Sequence, residues 1–322
     1  MTQKIDISHK TVIFIAIFLV SLWLTYLVKD LLIIIFVAII LMSALHPLVN
    51  FFTKFKIYKG LAIGLTYIII ITAITGMVLA ISKPLIEESN KLASTFPATA
   101  SQLLQILNID RSIVQSEVGS LSRNLFSLTL AVFDNLLTII FLLVITFYLL
   151  LEKDSLEKRI ASFFVKREEK TRKLLVQIED KLGAWLRGQL FLSLIIGLLS
   201  YIGLLVLNIP YALPLSLLAA VFEIIPVIGP IVSAIPAVLI ALTISPILAL
   251  GVVAMYFIIQ QLENHLIVPQ VMQRAVGLNP LVVILAIAIG SRILGFAGAL
   301  LAVPLAVVLQ IVVAEIISEK KL

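Results

Sequence analysis

Two apolar runs near the start of this chain, residues 11–28 and 31–49, are separated only by Lys29 and Asp30. A helix needs about 20 apolar residues to cross a hydrocarbon core of about 30 Å. Inside lipid, every backbone N–H and C=O must find a partner within the protein, which helices achieve and open strands do not. The two runs therefore predict a tight transmembrane helical hairpin. Further runs follow at about 60–82, 135–151, 188–207 and 247–266. The expected fold class is all-α, a polytopic integral membrane protein with about eight membrane segments. The polar start, MTQKIDISHK, leads into the first run with no A-x-A-like cleavage site. The first run is thus expected to stay as a span and not to be removed as a signal peptide.

Composition agrees. Hydrophobic residues make up 61% of the 322 and charged residues 13%, against about 25% charged in soluble domains. There is no cysteine, which excludes disulfides and thiolate metal sites. His9, His46 and His265 are too scattered for a ligand cluster, so no metal and no cofactor are expected. The net charge of +6 reads as loop charge obeying the positive-inside rule and not as a nucleic-acid face.

The charges also divide and orient the chain. Residues 1–82 hold three spans. Residues 83–133 form a polar segment with four basic and four acidic residues, in which Val114, Val118, Leu121 and Leu125 recur at helical spacing. Short amphipathic helices are expected there, as a connecting subdomain. Residues 134–151 form the fourth span. Residues 152–187 carry ten Lys/Arg and seven Asp/Glu, with Leu174, Ile178, Leu182 and Trp185 at helical spacing. The excess of basic residues places this segment in the cytoplasm and 83–133 outside, with both termini cytoplasmic. Residues 188–322 remain as a transport core.

That core contains two interrupted runs. The first, between Pro214 and Pro246, breaks at Pro226, Gly229 and Pro230. Its halves, 213–225 and 231–244, are each about 20 Å long as helices, too short to span alone. The second, 279–317, breaks around 290–292 and at Gly295 and Gly298. Both open with Pro-Leu (Pro214, Pro280) and both carry a later proline, Pro236 and Pro304, 22 and 24 residues on. Chance matching in apolar sequence is one explanation and an internal repeat is the other. Paired interrupted segments point to a transport site. Each run can be a re-entrant hairpin or a kinked span. Arg274, Lys320 and Lys321 all fall inside if both are hairpins, which slightly favours hairpins.

Candidate site residues cluster at these breaks. Pro226, Gly229 and Pro230 free backbone groups that must find protein, water, ion or solute partners. Glu223 lies one turn earlier, where a carboxyl must be neutral or paired with a cation. Gln260, Glu263 and Asn264 fall at i, i+3 and i+4 on one helical face, with His265 and Gln261 on the neighbouring face. Arg292, between apolar runs, needs a partner, with Glu223 and Glu263 as candidates. No GxxxxGK[ST] loop, no HExxH and no pair of membrane-buried aspartates occurs, so the chain is not expected to be an enzyme.

Three stretches carry a resemblance to a known family. They are LRGQL at 186–190, FEIIPVIGPIVSAIPAVLIAL at 222–242, and QQLENHLIVPQVMQRAVGLNPL at 260–281 with GFAGALLAVPLAVV at 295–308. Together they resemble the autoinducer-2 exporter family, also called PerM-like permeases, over essentially the whole chain. The resemblance implies a multi-pass plasma-membrane transporter with about eight membrane segments, and a homo-oligomer, the pentamer being one such assembly. It implies export of a small polar solute, an autoinducer-2-like signalling molecule in some members, and sodium or lithium/proton antiport in others. The expected partners are the lipid bilayer and a small polar solute or a monovalent cation or proton. The expected site joins Glu223, Pro226, Gly229, Pro230, Gln260, Glu263, Asn264, Arg292, Gly295 and Gly298. A membrane scaffold or envelope factor that carries no cargo is the alternative from another class.

Overall fold

The structure, a computed structural model, describes residues 9–107, 136–164, 167–226, 228–271 and 277–319. The expected face of Val114, Val118, Leu121 and Leu125 lies outside the described residues, as do Arg274, Lys320 and Lys321. Among the described residues there is no strand. The helices are α1 (His9–Leu27), α2 (Lys29–Lys54), α3 (Lys59–Leu107), α4 (Leu136–Ser162) and α5 (Glu168–Val206), then α6 (Ala212–Phe222), α7 (Ile228–Ile244) and α8 (Pro246–Leu262). A π-helical turn at Glu263–Ile267 leads into the short α9 (Val268–Val271), and α10 (Pro280–Glu319) follows.

Among the described residues, five helical stretches are long and apolar enough to cross a membrane: Lys29–Lys54, Lys59–Leu79, Glu168–Val206, Pro246–Val271 and Pro280–Ile317. Three shorter apolar helices accompany them, Thr11–Leu27, Ala212–Phe222 and Gly229–Leu242. Apolar side chains such as Phe14, Trp23, Phe191 and Phe257 point outward at 54–70% exposure, as lipid-facing residues must.

Composition changes do not coincide with helix ends. α3 runs 49 residues without a break, about 74 Å, and carries the apolar third span straight into the polar segment. α5 does the same, joining the charged 168–187 stretch to the fifth span in one helix of 39 residues. Polarity changes what a helix faces, while the i to i+4 ladder continues wherever no residue interrupts it.

α2 sits at the centre, against α3, α4 and α5. Its Pro47 has no N–H, so the Ser43 carbonyl loses its helical donor. Arg187 of α5 fills that place, donating from Nη1 to Ser43 O at 3.2 Å and Ala44 O at 3.1 Å. Gly183, one turn earlier, lets the helices meet, since a Cβ there would overlap the Ser43 carbonyl. A second core joins the Val206 half of α5 to α6, α7 and α8 through Leu204, Leu215, Ala237 and Val252. α8 starts at a well-formed cap, Ser245 Oγ accepting from Leu248 N at 3.1 Å ahead of Pro246.

Several charges beyond Leu151 pair, and two of them, Lys153 and Glu157, are buried. Lys153 of α4, 8% exposed, contacts Glu157 Oε1 at 2.5 Å and Glu179 Oε2 of α5 at 2.9 Å. Lys59 meets Asp154 at 2.9 Å, tying α3 to α4, and Lys170 meets Glu315 at 2.7 Å, tying α5 to α10. Burial alone would lower the Lys153 ammonium, but the hydrogen bonds it donates to Glu157 and Glu179 outweigh it and hold the group above its ordinary value. The Lys59 hydrogen bond holds Asp154 below its ordinary value.

Candidate functional site

The break between α6 and α7 follows from its residues. Pro226 cannot donate to Phe222 O, so α6 stops there. Ile225 N takes that carbonyl in a tight turn at 2.9 Å, and Gly229 N bonds Ile225 O at 3.0 Å as α7 begins. Gly229 is buried against the Phe222 carbonyl, where any Cβ would overlap it. The turn therefore needs glycine for close approach, and Pro230 is buried beside it.

Glu223 stands at this turn with 0% exposure. Among the described residues, neither of its carboxyl oxygens receives a hydrogen bond of ordinary length and angle. Its backbone carbonyl, at the C-terminal end of α6, accepts from Gln189 Nε2 of α5 at 2.5 Å. The carboxyl of Glu263 faces the carboxyl of Glu223. Glu263 is 3% exposed and opens the π-helical turn, a geometry frequent at functional sites. Gln260 Nε2 donates to Glu263 Oε2 at 3.1 Å. Two carboxyls are thus buried face to face, with the Gln260 amide on that of Glu263 and the Gln189 amide on the backbone carbonyl of Glu223. Such a pair is stable only when a proton or cation offsets the repulsion. The C-terminal end of α6, negative by its dipole, favours positive charge at the same place.

Several expected residues come together here and others do not. Glu223, Pro226, Gly229, Pro230, Gln260 and Glu263 share the site. Asn264 is exposed, within 3.5 Å of Gln260 Nε2. His265, also exposed, turns to the Gln261 carbonyl at 3.0 Å. Arg292 does not pair with Glu223 or Glu263, as its candidate role required. It is exposed on α10, and among the described residues it has no ion pair. The two acids meet each other instead.

The second break has a different construction. Within α10 the helical backbone fails at Leu294 and Gly295, the latter at φ 60°. The arms on either side fold together at Gly290 and Gly298, where a Cβ on either would overlap the other's carbonyl. No space is contested at Gly295 itself. Ile225, two residues past Glu223, shares a core with Ile287, Ala299 and Ala302 of these arms, so the two breaks are linked through packing.

Gln189 is the site residue that sequence reasoning missed. Its signal was present, an amide two residues past Arg187 at the start of the helix's apolar half, within the LRGQL stretch.

The model of the AI-2E family transporters matches residues 12–318. The chain is 39% identical to YrrI of Bacillus subtilis over 137 residues, 42% of this chain and 39% of that protein. It is 28% identical to the AI-2 transport protein TqsA of Escherichia coli over 291 residues, 86% of this chain and 82% of TqsA. It is 25% identical to a sodium-lithium/proton antiporter of Halobacillus andaensis over 228 residues, 69% of this chain and 65% of that protein. The matched stretch thus covers about two-fifths of YrrI, and most of TqsA.

Proposed function

This chain belongs to the AI-2E family of transporters, and we propose that it is a secondary transporter exporting a small polar solute of the autoinducer-2-like class, with the Glu223–Glu263 pair as its coupling site. The observation that carries this reading is the state of Glu223: fully buried, at a helical break, with no donor to either carboxyl oxygen among the described residues. A carboxyl so placed is costly unless a proton or cation visits it. Broken helices at membrane depth suit that use, because their freed backbone groups can serve a solute. The solute class rests on the likeness to TqsA.

Sodium(lithium)/proton antiport by the same pair is the second reading. The facing carboxyls favour it, since one site can then take a proton or a cation in turn, and the Halobacillus relative carries that description. The two breaks, in this account, are re-entrant hairpins within about eight membrane segments. The basic 152–187 segment and both termini face the cytoplasm of a plasma-membrane homo-oligomer.

Purified full-length protein in proteoliposomes separates the readings. Furanosyl signalling compounds and sodium/proton exchange are measured side by side. Solute flux supports export, exchange alone supports antiport, and neither under any gradient contradicts both and favours a scaffold.

A further inference from the structure

Glu223 and Glu263 need a route to water if a proton is to reach them. One face of α5 carries Gln189, Ser193, Ile196 and Ser200, spaced 4, 3 and 4 residues apart. All four side chains are at least nine-tenths buried, at 1%, 8%, 1% and 0% exposure. Among the described residues, Gln189 Oε1, Ser193 Oγ and Ser200 Oγ have no hydrogen-bond partner. Serines in helices commonly bond back to the preceding turn, and these two do not. On α8, which packs against α5, Tyr256 lies seven residues before Glu263 and so on the same face. Its hydroxyl lies beside that of Ser200, and among the described residues it makes no hydrogen bond of ordinary length and angle. Buried hydroxyls in folded proteins are rarely left unpaired, and ordered water is their usual partner.

We propose that the file of Gln189, Ser193 and Ser200 on α5, continued by Tyr256 of α8, is a hydrated proton path from the Glu223–Glu263 pair to the Val206 end of α5. Each hydroxyl can donate and accept at once, so a proton passes along the file without a net change in any hydroxyl. A proton entering from water at the Val206 end forms one new O–H bond on a carboxylate oxygen, and leaves by the reverse steps. Ile196 separates Ser193 from Ser200 by about 10 Å of helix, and water bridges that gap. Among the described residues no other titratable side chain acts on the pair: Glu263 acts on Glu223, and Glu223 and Gln260 act on Glu263.

The path rests on the reading of Glu223 as a coupling carboxyl, and one experiment tests them apart. The full chain is reconstituted in lipid, and the carboxyl infrared band is followed after a pH jump. Glu223→Gln should remove part of that band. If it removes none, Glu223 does not titrate and the coupling reading itself falls. Tyr256→Phe combined with Ser200→Ala should slow the band's appearance at least about tenfold and leave its final amplitude unchanged. Ile196→Phe, which fills the gap, should slow it too, whereas Ile196→Ser should speed it. Wild-type rates in the double variant and in both Ile196 variants would overturn the path while leaving the coupling site intact.

Discussion

The two interrupted helices solve one problem with different residues. At the α6–α7 break, prolines remove donors, a glycine permits close return, and a buried acid stands at the turn. Within α10, glycines do everything: Gly295 supplies the reversal and Gly290 with Gly298 let the arms touch. The second break contributes no buried charge, for its one ionisable neighbour, Arg292, faces outward. A broken helix in a membrane is therefore not by itself a site. In our proposal the chemistry lies at the break that buries a carboxyl, and the other is a packing device; the two share a core through Ile225.

The largest effect should come from the packing break. Gly298→Leu places a side chain into the Gly290 carbonyl, and the arms cannot close. A loss of about 4 kcal/mol or more is expected, read as lost folded yield and lower thermal stability in detergent. A normally stable variant would mean that the arms do not meet.

The functional break should fail in another way. Replacing Pro226, Gly229 and Pro230 together with alanine restores helix donors and propensity, about 1 kcal/mol for glycine and about 3 for each proline. Such a protein should insert but not transport. Normal transport would demote this break to the same rank as Gly295.

Paired charges sharpen the comparison with the unpaired ones. Lys153 lies between Glu157 and Glu179, and among the described residues Lys153→Met would leave buried Glu157 with only Arg172 at 3.8 Å and partly buried Glu179 without this cation. A cost of about 3 kcal/mol is expected. Because its folded value is raised above the ordinary 10.5, the stability Lys153 supplies is complete below that pH and is lost as pH rises through the folded value. Thermal stability of wild type should fall above about pH 10.5, and that of the Met variant should fall less. The smallest effect belongs to Gly295→Ala, strained at φ 60° but sterically open, at about 1 kcal/mol.

Much of this architecture was legible in residue order. The spans, the proline-glycine break and the Gly295 reversal all follow from local rules about donors and φ. The extent of α3 and α5 was not legible, because a change from apolar to polar residues resembles a boundary, yet Leu79 to Leu107 and Arg187 to Gly188 continue one hydrogen-bond ladder. Within the site, Glu223 and Glu263 were both visible as costly acids, but each was offered to Arg292. Charge sign suggested an opposite partner, whereas helix packing brought like with like. Gln189 escaped for a related reason. Its role depends on a carbonyl 34 residues away, freed by a turn whose orientation only the tertiary fold supplies.

The central claim is that the carboxyl pair at the first break couples transport to a proton or cation. Solute flux and sodium/proton exchange through Glu223→Gln, measured in proteoliposomes across pH and sodium concentration, test it most directly. The variant keeps size and hydrogen bonding but removes titration. The account predicts that dependence on pH or sodium disappears while some downhill flux remains. Unchanged ion dependence at normal folded yield would contradict it.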